Sequence, residues 1–158
     1  MSTATTDISD ANPDAQVCQP IFRDYGGVLS FNGPIRTLKL FEDNSFVREA
    51  VQEDGAGAVL VVDGGGSNRS ALVGGNLAVL AAKNNWAGIL VFGHVRDADE
   101  LGAEAVGIKA MGTHPKKTEK RNTGQRDVPV RSADVLFEPG AWLYADRDGV
   151  VVTASRAH

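Results

Sequence analysis

Two periods of apolar residues run along this chain. Residues 58–62 (AVLVV) and 89–92 (ILVF) are continuous and apolar, the pattern of strands covered on both faces. Between them Leu77, Leu80 and Ala81 recur at helical spacing across 75–84, and Asn84-Asn85 supplies a stop. A short helix over 97–104 and a third strand over 106–111 follow. Upstream, 44–52 reads as a helix with Phe46, Val47 and Ala50 on one face. Strand, helix, strand, helix, strand is the grammar of a parallel α/β unit.

The flanks carry the other period. Leu38 and Leu40 alternate with Thr37 and Lys39, so 28–31 and 35–41 read as half-buried strands around a turn at Asn32-Gly33-Pro34. Residues 128–130 and 135–137 return to strand. After Pro139-Gly140, 142–145 and 150–153 flank Asp146-Arg147-Asp148-Gly149 as a hairpin. Residues 1–14 are small and polar and read as a flexible tail or a capped first turn. The expectation is one mixed α/β domain over 15–158, with β segments at both ends of a parallel α/β centre.

Composition narrows the function classes. The 158 residues are 42% hydrophobic and 23% charged, as expected of a globular domain with a core of its own. A formal net charge of −4 opposes broad nucleic-acid binding, so no direct contact with nucleic acid is expected. The lone cysteine, Cys18, excludes an intramolecular disulfide and any CxxC metal site. No run is long enough to span a membrane. The N-terminal residues lack the basic start and apolar core of a secretory signal, so the expected location is cytoplasmic.

Candidate chemistry gathers where open α/β sheets keep it, beyond the carboxyl ends of the strands. Asp63 with Gly64, Gly65, Gly66 and Ser67 stands at one such end, and Arg96-Asp97 at another. Gly74-Gly75 opens the helix between them. A bare helix start suits a carboxylate or phosphate, and Arg96 can clamp the same anion with its fork of donors. Asp97 can hold a hard divalent cation. Blander readings exist for each: a plain strand-to-helix turn at the glycines, an Asp97 that caps its own helix, an Asp63 that bonds turn amides. Lys116, Lys117, Lys120, Arg121 and Arg126 against Glu119 give 116–126 a net charge of +4, five minus one. That loop reads as a solvated lid over an anionic substrate, or as a dock for an acidic partner or RNA.

Ten short motifs together resemble one family. They are FRDYGG (22–27), FNGP (31–34), FEDN (41–44), VVDGGGS (61–67), ALVGGN (71–76), NWAG (85–88), GHVRD (93–97), GIKAM (107–111), RDVPV (126–130) and WLYADRDGV (142–150). Each alone is weak; in combination, from about residue 18 to 153, they resemble the RraA-like family. The resemblance implies a swivelling β/β/α sandwich, assembled as a homotrimer with sites between subunits. It implies one of two functions. The first is a class II 4-hydroxy-4-methyl-2-oxoglutarate aldolase with oxaloacetate decarboxylase side activity, dependent on Mg²⁺ or Mn²⁺. The second is a non-catalytic regulator that binds and inhibits ribonuclease E. Some members have carried a methyltransferase label, which nothing in these residues supports.

The aldolase signature implied by the family is an aspartate, twenty residues, then Arg-Asp. Arg96 would engage the oxo acid, Asp97 the metal, and the helix start at Gly74, Gly75, Asn76 and Leu77 the substrate carboxylate. Arg96 and Asp97 match and favour the enzyme. The upstream acid does not: counting back from Arg96 lands on Gly75, which cannot order water or take a proton. Loss of such a partner typically costs ~10–100-fold. Asn76 can align a water but cannot act as a base. His94 is the nearest candidate base in the sequence, although strand alternation also suits it to a wall or surface position.

Overall fold

The computed structural model describes residues 2–158. Its centre is the parallel unit read from the sequence. Strands β3 (Phe31–Lys39), β4 (Val59–Asp63), β6 (Gly88–Val95) and β7 (Gly107–Thr113) lie side by side in that order. They run parallel in register, Leu38 beside Val62, Val62 beside Val91 and Val91 beside Ala110. Both faces of β4 are covered, which is why 58–62 carries no polar residue. On one face Leu60, Val62, Ile89, Val91 and Ile108 pack beneath helices α2 (Ser45–Gln52), α3 (Gly75–Lys83) and α4 (Ala98–Gly102), through Val47, Val51, Leu77, Ala81 and Leu101. On the other, Ile35, Val59, Val61 and Leu90 meet a β layer. That layer is the hairpin of β9 (Val130–Ser132) and β10 (Val135–Phe137), with β11 (Trp142–Asp146) and β12 (Gly149–Thr153). The result is the β/β/α sandwich, with a curled mixed sheet as its middle.

Three elements depart from the pattern reading. The separate strand expected at 28–31 and the turn expected at 32–34 do not form, and a single strand, β3, starts at Phe31 and runs straight through Pro34. Its first half pairs antiparallel with β11 and its second half parallel with β4 from Ile35 onward. Ile35 N–H donates to the Ala141 carbonyl, 2.8 Å, so by alternation the missing N–H of Pro34 falls on the other edge, before β4 has begun. Proline breaks no ladder bond there. Second, the expected tail contains helix α1 (Thr5–Ala11). Ile8 is buried against Tyr144 and Val151, and the Thr5 amide and hydroxyl donate to the Asp146 carboxylate at 2.8 and 2.7 Å. Third, β5 (Ala71–Val73) adds a short parallel strand beside the end of β6. The remaining pieces are edge pairings by β1 (Gln16–Val17), β2 (Arg23–Asp24) and β8 (Gln125–Arg126). No helix among the described residues is long and apolar enough to cross a membrane.

Glycine is required where β6 and β7 open. Gly88 and Gly107 are register partners, and the Phe31 ring lies across both, so that a Cβ on either would overlap it. Gly107→Val is expected to destabilise by about 1–3 kcal/mol, the penalty for overpacking a filled core, read as a lower urea midpoint. In a Phe31→Ala background the same change should be milder. Additive penalties would show that ring and glycine do not share this space.

Candidate active site at the start of the third helix

Strand β6 ends at Val95, and its next residue is still pinned: Arg96 N–H donates to the Val73 carbonyl, 2.9 Å. Asp97 then adopts a left-handed backbone, φ 60° and ψ 47°, a conformation that aspartate tolerates better than most residues. The turn carries its carboxylate across to α3, where Oδ2 accepts the Gly75 amide at 2.9 Å. Asp97 makes no side-chain cap to its own helix α4, so that reading is set aside. Gly74 is needed for the close approach. A Cβ there would lie 2.9 Å from Asp97 Oδ2 and 3.3 Å from Arg96 Cγ.

All six residues singled out at the site, Gly74, Gly75, Asn76, Leu77, Arg96 and Asp97, line one pocket of about 60 Å³. The Gly75 amide is taken by Asp97. The next two amides, of Asn76 and Leu77, have no acceptor within the helix, because the first intrahelical bond runs from Ala78 N–H to the Gly74 carbonyl. Arg96 reaches only the Pro115 carbonyl, at 3.5 Å.

Four further polar side chains line the pocket: Asn44, just before α2, Arg48 from α2, and Lys117 and Lys120 from the basic loop. Arg48, Arg96, Lys117 and Lys120 enter none of the ion pairs among the described residues. Four cations against Asp97 leave the lining at +3 (four minus one), beside the positive end of α3. Such a pocket calls for an anion bearing more than one negative charge.

The loop is brought there by a buried carboxylate. Asp43, 1% exposed, accepts from the Ser45 amide (2.9 Å) and hydroxyl (2.6 Å), the Arg121 amide (2.8 Å), and the Thr123 amide and hydroxyl (both 3.1 Å). Burial alone would raise its pKa. The hydrogen bonds from Ser45, Arg121 and Thr123 outweigh burial and hold it well below the usual carboxylate range. Next to it Asn44 donates to the Leu72 carbonyl at 3.0 Å and accepts the Thr118 hydroxyl at 2.8 Å. Two other loop cations are paired elsewhere: Arg121 with Glu119, and Arg126 with Glu49 and Glu53.

Other candidates fall outside the pocket. His94 Nδ1 lies 2.9 Å from the Ser67 carbonyl, and its ring packs over Gly112; it is a wall residue. Asp63 Oδ1 accepts the Gly65 amide at 3.0 Å, bonding its own turn. Burial pushes the Cys18 thiol up to about 12, so it stays protonated as a small interior residue.

Comparison with known proteins agrees with this architecture. The RraA-like family model, described as Aldolase/RraA, matches residues 5–152. A Burkholderia mallei (strain SAVP1) protein named "Putative 4-hydroxy-4-methyl-2-oxoglutarate aldolase" is 56% identical over 97% of this chain and 96% of its own length. The RNA-processing inhibitor RraA from Thermus thermophilis superposes with a TM-score of 0.97 at 44% identity, covering 100% of this chain and 96% of that one. A Geobacillus kaustophilus HTA426 protein named S-adenosylmethionine: 2-dimethylmenaquinone methyltransferase gives 0.95 at 47%, covering 97% and 96%. The three names point to different activities on one shared fold. Sequence match, sandwich topology and near-complete superposition agree on one statement: the chain belongs to the RraA-like family.

Proposed function

We propose that this chain is a divalent-cation-dependent lyase that cleaves 4-hydroxy-4-methyl-2-oxoglutarate to pyruvate, and that it also decarboxylates oxaloacetate. One observation carries the reading: Arg96, Asp97 and the open amides of α3 share a single cation-rich pocket. Both substrates are 2-oxo acids with a second carboxylate, which suits four unpaired cations. Both yield the same pyruvate enolate.

The chain's residues divide the work. The amides of Asn76 and Leu77 receive the carboxylate next to the keto group. Arg96 holds the charge that develops on the keto oxygen, an interaction worth ~10²–10³-fold per donor. Arg48, Lys117 and Lys120 meet the distal carboxylate.

The donor set fits a hard cation. Asp97 spends one oxygen on the Gly75 amide and has the other to offer. No group of three or more His, Cys, Asp or Glu gathers among the described residues, which argues against a closed structural zinc site. A single carboxylate plus waters and substrate oxygens suits Mg²⁺ or Mn²⁺. Such an ion at Asp97 would supply Lewis-acid polarisation of the keto group.

A homotrimer is proposed on the family resemblance. Asp97, Arg48 and Lys120 stand exposed at the rim, where a neighbouring subunit can complete the site. The second reading, a regulator of ribonuclease E, is favoured by the likeness to the Thermus inhibitor. The loop charges weigh against it, since Lys117 and Lys120 line the pocket and Arg121 and Arg126 are already paired.

Pyruvate release from both acids, with Mg²⁺ or Mn²⁺ and with a chelator, tests the proposal. Turnover that the chelator abolishes is expected. No turnover of either acid with either cation, together with capture of ribonuclease E, would leave the regulator.

A further inference from the structure

We infer that the gap between the two β layers beside Lys109 is a second binding site, one for a small carboxylate with an apolar body. Alternation along β7 sends Ile108 and Ala110 to the helices and Lys109 to the β layer. Strand register sets Lys109 in one row with Val61 of β4 and Leu90 of β6, both core residues on that side. A charge therefore stands where its row neighbours are apolar. Its side chain is only 3% exposed and meets one carboxylate, that of Asp24 on the edge strand β2, at 3.0 Å.

Stability alone gives little reason for such a pair. Apolar residues of similar volume in place of a buried ion pair are often neutral or stabilising. An ammonium also carries three donors, and no acceptor besides Asp24 is found for this one among the described residues. Lys109 and Asp24 both line a cavity of about 410 Å³, the size of a small-molecule site. It shares no lining residue with the pocket at α3.

The rest of the lining sets the ligand's chemistry. Arg147, exposed in the turn between β11 and β12, lines the cavity and enters no ion pair among the described residues. Cys18, Phe22 and Val150 supply an apolar wall. Lys109 and Arg147 against Asp24 and Asp148 leave the lining neutral, two minus two. Unlike the pocket at α3, it does not favour a multiply charged anion. A single carboxylate suits it, accepting from the spare donors of Lys109 and from the Arg147 fork, while its hydrocarbon body covers the apolar wall.

4-Methylpentanoate is the probe, and Cys18, the lone cysteine, is a reporter built into the wall. In the full chain the acid should bind with a Kd of roughly 1 mM and slow the reaction of Cys18 with a thiol-specific reagent in proportion to occupancy. 4-Methylpentan-1-ol, similar in shape but uncharged, should do neither at the same concentration. Lys109→Met should weaken binding by about 10–100-fold, the loss that follows when a hydrogen bond between charged groups is removed. Arg147→Ala, on an exposed turn, should weaken it less, and keeps the test open if Lys109→Met fails to fold in urea melts. Equal binding of acid and alcohol would reduce the site to an apolar gap and overturn the assignment. So would an absence of saturable binding, an unchanged Kd in either folded variant, or binding that leaves the Cys18 rate unmoved. The assay involves no turnover, so its result is independent of the aldolase reading.

Discussion

Arg96→Ala is expected to lower kcat for the proposed pyruvate formation by about 10²–10³-fold, the loss that follows when one preorganised donor to a developing oxyanion is removed. The fold should survive, because Arg96 is held mainly through its backbone bond to Val73, and its side chain makes one hydrogen bond, to the Pro115 carbonyl at 3.5 Å. Arg96→Lys should not restore the rate, since a compact ammonium lacks the planar fork that spans carboxylate and keto oxygen. Asp97→Asn completes the comparison. Its amide oxygen can still accept the Gly75 N–H, so α3 stays capped, while the charge that would hold a cation is gone. The two variants should therefore separate, Arg96→Ala keeping Mg²⁺ affinity and Asp97→Asn losing it. A unfolding midpoint that falls with the rate in either variant would instead make these residues structural.

Asp43→Ala is expected to have the largest effect on stability, about 2–4 kcal/mol, because it strands buried donors that a charged acceptor now satisfies. It should also raise KM. The Arg121 and Thr123 amides anchor the segment that carries Lys117 and Lys120 to the pocket. The effect has a pH signature. The folded pKa of Asp43 lies below its unfolded value, through hydrogen bonds that outweigh burial. Its stabilisation is therefore complete above the ordinary aspartate value of roughly 4, and is lost as pH falls through the folded value. The stability gap between wild type and Asp43→Asn should be constant at neutral pH and shrink in acid, as read by urea melts between the two. A gap that widens on acidification would contradict this sign.

The parallel centre was legible because burial on both faces leaves its mark on composition. Residues 58–62 and 89–92 are apolar throughout, and the helix from Gly75 has its period and its stop. Arg96, Asp97 and the glycine start could be placed together for a topological reason, since successive strand ends in a parallel sheet face one edge. What stayed hidden depends on partners distant in sequence. Pro34 reads as a turn until β11 is seen to pair with its other side. Residues 5–11 read as tail because one isoleucine and a threonine bonded to Asp146 carry no period. Asn44 and Arg48 carry a faint signal, polar residues one helical turn apart at the start of α2. The anchoring role of Asp43 in FEDN exists only in three dimensions.

The central claim is that the start of α3, Arg96 and Asp97 receive one oxo acid together. Titrating ¹⁵N-labelled protein with pyruvate and Mg²⁺ tests it most directly, through amide and guanidinium resonances. The largest shifts should fall at Gly75, Asn76, Leu77 and Asp97 and at the Arg96 side chain, saturating together with a single Kd. Shifts confined to the 116–126 loop, with the Asn76 and Leu77 amides unmoved, would contradict it.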